Sequence, residues 1–179
     1  WNWFSINVEP CNLPLAECSD YDADNDGDYD HHDLLVPDVL ASIEEQADLL
    51  PQGSVYLKGS FGYADYYPGY GWFGNLSEIN NLSMFKLRMI YEDSIQLTGM
   101  PVDVATAVLD LPLGWSWIGY TPQLSNSLSN ALINIPNGNA SYIKSQAGFA
   151  DYYDDYGWYG SLSEMSPFEG FQLQLNEAT

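Results

Sequence analysis

Positive charge is what this sequence has least of: four lysines and arginines stand against 25 aspartates and glutamates, for a net charge of −21. So acidic a surface repels phosphate backbones and anionic headgroups, which argues against nucleic acid and electrostatic membrane binding as functions. Long apolar runs are also missing. No stretch approaches the roughly 18 apolar residues of a membrane span, so no membrane insertion is expected. With two cysteines and two histidines, the chain has too few soft ligands for a zinc framework. Aromatic residues, by contrast, are abundant: 14 Tyr and 6 Trp, within a hydrophobic fraction of 46%, place the chain among folded proteins rather than acidic tails. Its 179 residues suffice to bury a core without help from metals or disulfides. Trp1 opens directly on a strand-like pattern with no initiator Met or leader, so the chain reads as a processed or excised piece.

Self-similarity organises what is present. Ala64 to Met89 (ADYYPGYGWFGNLSEINNLSMFKLRM) aligns without gaps on Ala150 to Leu175 (ADYYDDYGWYGSLSEMSPFEGFQLQL), 86 positions later, with half of the positions identical. Upstream, Tyr56, Lys58 and Gly62 match Tyr142, Lys144 and Gly148. Trp1-Asn-Trp3-Phe corresponds to Trp115-Ser-Trp117-Ile, so the first copy carries 28 extra residues after its opening strand.

Each copy begins with a strand, Trp1 to Val8 or Trp115 to Tyr120. Aliphatic residues then recur at helical spacing: Val39, Leu40, Ile43, Ala47 and Leu50 in copy one, Leu124, Leu128, Ala131, Leu132 and Ile135 in copy two. A strand follows (Val55 to Phe61; Tyr142 to Ala147), then a Tyr/Gly-rich turn and a short strand around Trp72 or Trp158. The closing strand alternates, with Phe85, Leu87 and Met89 on one face and Lys86 and Arg88 on the other. The expected fold is therefore α+β: two tandem β-α-β-β-β repeats, each a small, mainly antiparallel sheet with one helix. Repeat one spans 1–89 and holds an insert at about 9–36. Connecting strands occupy 90–114, drawn from Ser94 to Leu97 and Val102 to Leu109, and repeat two spans 115–179.

The insert carries the clearest chemistry. Asp22, Asp24, Asp26, Asp30 and Asp33 stand at positions 1, 3, 5, 9 and 12 of a twelve-residue loop with Gly27 at position 6, the spacing of an EF-hand calcium loop. Alternate side chains point inward around a hard cation that wants six to eight oxygens, and Asp28 would supply its backbone carbonyl at position 7. The expected cofactor is Ca2+. Seven acids between Asp20 and Asp33 would otherwise repel one another strongly. His31 and His32 fall at non-ligand positions. Cys11 and Cys18 are too widely spaced for a redox pair, and a disulfide is expected. Disulfide and calcium together point to an extracellular or cell-surface location. Asn75, Asn81 and Asn139 begin glycosylation triplets that matter only in a eukaryotic host.

Tyr67, Tyr70 and Trp72, with Tyr153, Tyr156 and Trp158, form the best-matched turns of the two copies. Flat rings beside Gly suit stacking on sugars. They equally suit the repeat's own core, and the sequence leans to that use because the match continues into plainly structural alternating positions. Catalysis finds little support. Ser116 lacks a nucleophile elbow, both histidines lie in the calcium loop, and Glu78 and Glu164 occupy equivalent Leu-Ser-Glu turns, so no enzyme is expected.

The calcium loop, closing on Asp, resembles that of dockerins, over about 12 residues only; copy two has no such loop, so the dockerin's partner-binding role does not carry over. The Trp-x-Trp opening and Tyr-Gly-Trp turn resemble tandem modules of large secreted microbial surface proteins. That resemblance implies a secreted, calcium-stabilised structural or adhesive repeat protein of the cell surface or matrix. The alternative is a calcium-supported carbohydrate-binding module. Unpaired strand edges that differ at the two ends would favour head-to-tail self-association into filaments, or packing against neighbouring modules of a longer chain.

Overall fold

The computed structural model describes the backbone of residues 2–5, 9–10, 50, 53–76, 78–93, 98–99 and 102–179, with side chains from residue 50 onward except 98–99. Two five-stranded antiparallel sheets dominate it. Copy one supplies β1 (Asn2–Ser5), β3 (Ser54–Lys58), β4 (Tyr63–Tyr67), β5 (Gly71–Gly74) and β6 (Met84–Met89). Copy two supplies β8 (Gly114–Gly119), β10 (Ala140–Lys144), β11 (Phe149–Tyr153), β12 (Gly157–Gly160) and β14 (Gly170–Leu175). The spatial orders, β1-β6-β3-β4-β5 and β8-β14-β10-β11-β12, are the same path through the sheet. Even the irregularities repeat: the β3/β6 register shifts between Ser54 and Tyr56, and the β10/β14 register between Ala140 and Tyr142.

Turn chemistry explains why both hairpins close alike. Tyr70 N–H donates to Tyr67 C=O at 2.9 Å across Pro68-Gly69, and Gly69 at φ +83° meets the left-handed requirement of a type II turn. In copy two Tyr156 N–H donates to Tyr153 C=O at 3.0 Å across Asp154-Asp155, with positive φ confined to Gly157. Gly74 and its equivalent Gly160 are required by close approach. A Cβ on either would run into the carbonyl oxygen of the neighbouring strand, Tyr63 or Phe149.

Each sheet buries one face. Leu57, Ala64, Trp72, Ile79, Phe85 and Leu87 form the first core, and Ile118, Leu128, Ile143, Phe171, Leu173 and Leu175 anchor the second. The alternation of Phe85, Leu87 and Met89 thus faces inward as expected, Met89 packing at the core's margin.

The expected α+β repeat is overturned. Among the described residues the fold is mostly β, and helix is limited to one turn, Leu128–Ala131. Leu132 and Ile135 still pack on the second core, but through turns: Ile135 N–H reaches Leu132 C=O at 3.0 Å, and Leu124 is exposed. The sequence denies a longer helix. Pro122 and Pro136 bracket the segment, Ser127 makes no side-chain cap, and Asn130 and Asn134 favour local turns over helix. Of the five aliphatic residues at helical spacing, Leu128, Ala131, Leu132 and Ile135 record burial against a sheet rather than helix length, and Leu124 records neither. The copy-one counterpart, Val39 to Ala47, lies outside the described residues.

The connecting segment differs as well. Asp103 holds Val104–Thr106 in a turn, its Oδ1 accepting from Ala105 N–H at 3.0 Å and its carbonyl from Thr106 N–H at 3.1 Å, where a strand was expected. Within it, β7 (Thr98–Gly99) pairs in parallel with β2 (Glu9–Pro10) and joins neither large sheet. Ser94 to Leu97 lies outside the described residues. Finally, β9 (Asn126–Ser127) pairs with β13 (Glu164–Met165) over the second core.

Candidate functional site

Side chains alternate across a strand, so each sheet has a second face opposite its core. The register places Tyr56, Lys58, Tyr63, Asp65, Tyr67, Phe73, Lys86 and Arg88 together on that outer face in copy one. Trp115, Trp117, Tyr142, Lys144, Phe149, Asp151, Tyr153 and Tyr159 share the outer face of copy two. The rings lie in ladders. Tyr56 stacks on Tyr63 with centroids 6.0 Å apart, and Tyr142 stacks on Phe149 at the same 6.0 Å. Trp115 meets Tyr142 edge-on at 5.9 Å, and Tyr67 meets Phe73 at 5.9 Å. Tyr63, Phe73, Trp115, Phe149 and Tyr153 are all about half exposed, so the ladders present ring surface to solvent.

The two outer faces converge. β6 and β1 lie against β8 and β14. Ser83 forms an antiparallel bridge with Ile118, and Gly119 N–H donates to Leu82 C=O at 2.8 Å. Met84, on the outer face, is fully buried yet belongs to neither core. All four cations of the chain, Lys58, Lys86, Arg88 and Lys144, stand on these outer faces. Lys86 reaches across to the other sheet, its Nζ 4.5 Å from the Trp117 ring centroid. Lys144 Nζ lies 4.8 Å from the Trp115 centroid, and the Arg88 guanidinium 5.7 Å from that of Tyr56. Burial first, then the charges of Lys144 and Lys58, hold the Lys86 ammonium below the usual lysine range. The charges of Lys86, Arg88 and Lys144 thus rest on aromatic faces, whose quadrupoles favour them.

The residues singled out from sequence separate into three groups. The calcium positions Asp22, Asp24, Asp26, Asp28, Asp30 and Asp33, and the cysteines Cys11 and Cys18, lie outside the described residues. Among the aromatic candidates Trp72 is buried in the first core, tilted against Tyr66 at 5.5 Å, and Trp158 packs half-buried on the second, edge-on to Tyr152 at 5.3 Å. Tyr67, Tyr70, Tyr153 and Tyr156 are exposed, Tyr70 and Tyr156 at the hairpin tips. The glycosylation candidates Asn75 and Asn139 have structural employment. Asn75 Oδ1 accepts from Tyr63 N–H at 3.0 Å, as Ser161 Oγ accepts from Phe149 N–H at 3.2 Å in copy two, and Asn139 Oδ1 accepts from Glu177 N–H at 2.7 Å. Asn81 is half-buried.

Sequence reasoning missed the seam. Its signal was present in the alternation, since every lysine and arginine falls out of phase with the core residues of its strand. Beside the seam lies a cavity of about 590 Å3, bounded by Val104, Val108, Leu109, Tyr120, Leu132 and Met165, with no charged side chain in its wall. No protein-family model, curated protein or solved structure matches the chain.

Proposed function

We propose that this chain is a non-catalytic adhesive module of the cell surface or extracellular matrix that binds carbohydrate through the outer faces of its two sheets, with Ca2+ held by the copy-one insert. The observation that carries this reading is the pair of half-exposed ring ladders. A pyranose ring offers apolar C–H faces to stacked aromatics while its hydroxyls bond to nearby polar groups, here Gln174, Asp65 and Asp151. Rings that served only the fold would be covered, as Trp72 is. The test is a glycan array probed with the calcium-loaded chain, then with Tyr63→Ala and Phe149→Ala. The expected outcome is a restricted set of bound glycans and a loss of at least fivefold in affinity in each variant, with an unchanged melting temperature. A blank array would sink the carbohydrate reading.

A second reading, a self-assembling structural repeat protein, is favoured by a different observation. β5 and β12 end their sheets, and Phe73 and Tyr159 on them are exposed. An uncovered edge is a template for a strand of another chain. Light scattering over a concentration series in millimolar calcium would support this reading if mass grows with concentration, and a strictly monomeric species would end it.

A further inference from the structure

Lys58 and Lys86 face one another directly on neighbouring strands. Like charges directly opposite destabilise a sheet, and here a third lysine, Lys144, adds its field from the second sheet. The sequence has 25 acids with which to disperse four cations, yet it gathers the four on the two outer faces. Copy two shows that the fold does not require this. Gln172 and Gln174 occupy the positions of Lys86 and Arg88 on an equivalent strand of an equivalent sheet. The charge of this face is therefore what sets copy one apart from copy two.

We propose that the seam selects anionic saccharides: Lys58, Lys86, Arg88 and Lys144 receive the carboxylate or sulfate groups of a sugar whose ring faces lie on the adjoining aromatic ladders. This rests on the carbohydrate reading and narrows it to a substrate class. The rings decide among anionic partners. An acidic peptide or a bare phosphate has no flat apolar face to set on Tyr56–Tyr63 or Tyr142–Phe149, whereas a uronate or sulfated pyranose carries charge and face together. Ammonium and guanidinium groups donate to such oxygens with charge-assisted hydrogen bonds. The chain's overall negative charge opposes any polyanion at a distance. At about 0.15 M salt, however, the screening length is roughly 8 Å, so remote acids are largely silenced while contacts at hydrogen-bond distance are not. Asp65 and Asp151, one strand outside Lys58 and Lys144 on the same faces, limit how far along the ladder an anionic group is tolerated.

Calorimetric titration of the whole chain in calcium and about 0.15 M salt tests this with three probes: a tetragalacturonate, a sulfated galactan tetrasaccharide and neutral cellotetraose. At least one acidic probe should bind tenfold or more tightly than cellotetraose, and which one does so tells carboxylate from sulfate. The double variant Lys86→Gln with Arg88→Gln installs the residues copy two already carries on its own strand, and it should cut the acid-to-neutral ratio at least tenfold. Should that variant melt lower than the parent, Lys144→Gln provides the same comparison from the other sheet. Acidic and neutral probes bound alike would overturn the inference and leave the carbohydrate reading intact. A discrimination ratio unmoved in well-folded variants would also overturn it, and no binding of any probe would remove both.

Discussion

Copy one and copy two follow the same path through the sheet but are finished differently. Copy two covers its core with its own residues 120–139, from which Leu128, Leu132 and Ile135 descend onto Phe171, Leu173 and Ile143. Copy one packs Leu50, Leu76 and Val102 around its core and carries the 28-residue insert in the chain before it. Copy two has Gln at the outer-face positions where copy one has Lys86 and Arg88. One scaffold therefore tolerates large changes in what lies over its core face, and it reserves its outer face for differences in charge. The strand path and the glycines at β5 and β12 are what the copies hold in common; cover and charge are what they vary.

The largest effect should come from breaking each core at the same place. Phe85 and Phe171 are equivalent, both essentially without exposure. Truncating a buried Phe to Ala costs about 3–5 kcal/mol in lost transfer energy and residual cavity. For a chain of this size each kcal/mol moves the melting temperature by roughly 2–4 °C. Phe85→Ala and Phe171→Ala should lower it by similar amounts, in a single transition, because the seam ties the sheets through the Ser83–Ile118 bridge, the Gly119–Leu82 hydrogen bond and the Lys86–Trp117 contact. Two resolved transitions in either variant would show that the seam does not couple the sheets.

Next in size is the insert. A cation bound only by the folded state adds RT ln(1 + [L]/Kd), about 2.7 kcal/mol at a hundredfold excess over Kd. Calcium should raise the melting temperature of the whole chain, chelator should lower it, and Asp22→Ala with Asp26→Ala should abolish the response. Differential exchange of amide hydrogens sharpens the comparison. Protection gained with calcium should be greatest in β3 and β6 and smallest in β11 and β12. An identical melt in chelator would remove the calcium assignment.

How much of this was legible beforehand depends on the range of the interaction that decides it. Gly71 and Gly157, Pro68-Gly69 and the alternation Phe85-Lys86-Leu87-Arg88-Met89 act within a few residues, and the hairpins and closing strands follow from them. The helix was misjudged because Leu124, Leu128, Leu132 and Ile135 satisfy a helical period while Pro122, Pro136 and the intervening asparagines forbid the backbone to follow it. Burial explains the spacing of Leu128, Leu132 and Ile135, while Leu124 is exposed. Trp72 and Tyr67 share one motif, and sequence cannot say that the first enters a core and the second faces solvent until the phase of β4 against β3 is known. The seam was the least visible feature. That Lys86 and Arg88 avoid the core is a local fact, but that Trp117, in the other copy, lies under Lys86 is a contact between sheets built from distant segments.

The smallest expected effect is the most specific to the seam, and it follows from the direction in which Lys86 is displaced. Burial and two neighbouring lysines hold its ammonium below the ordinary value of 10.5. At neutral pH the group is charged in both folded and unfolded chains, and the folded chain carries the penalty. As pH climbs through the window that ends near 10.5, the folded state gives up this proton first. The unfolded state then binds more protons, and stability rises with pH. Tyr120 works in the opposite sense and later. Burial raises it above 10.0, so beyond that pH the unfolded chain ionises first and stability is lost. Lys86→Gln removes the first contribution and leaves the second. The variant should therefore melt slightly above the parent at pH 7, and the gap should close as pH approaches 10, before the Tyr120 decline appears in both. A gap that stays constant from pH 7 to pH 10 would mean that Lys86 bears no charge penalty in the folded chain. The crowding of cations that separates copy one from copy two would then have cost the fold nothing.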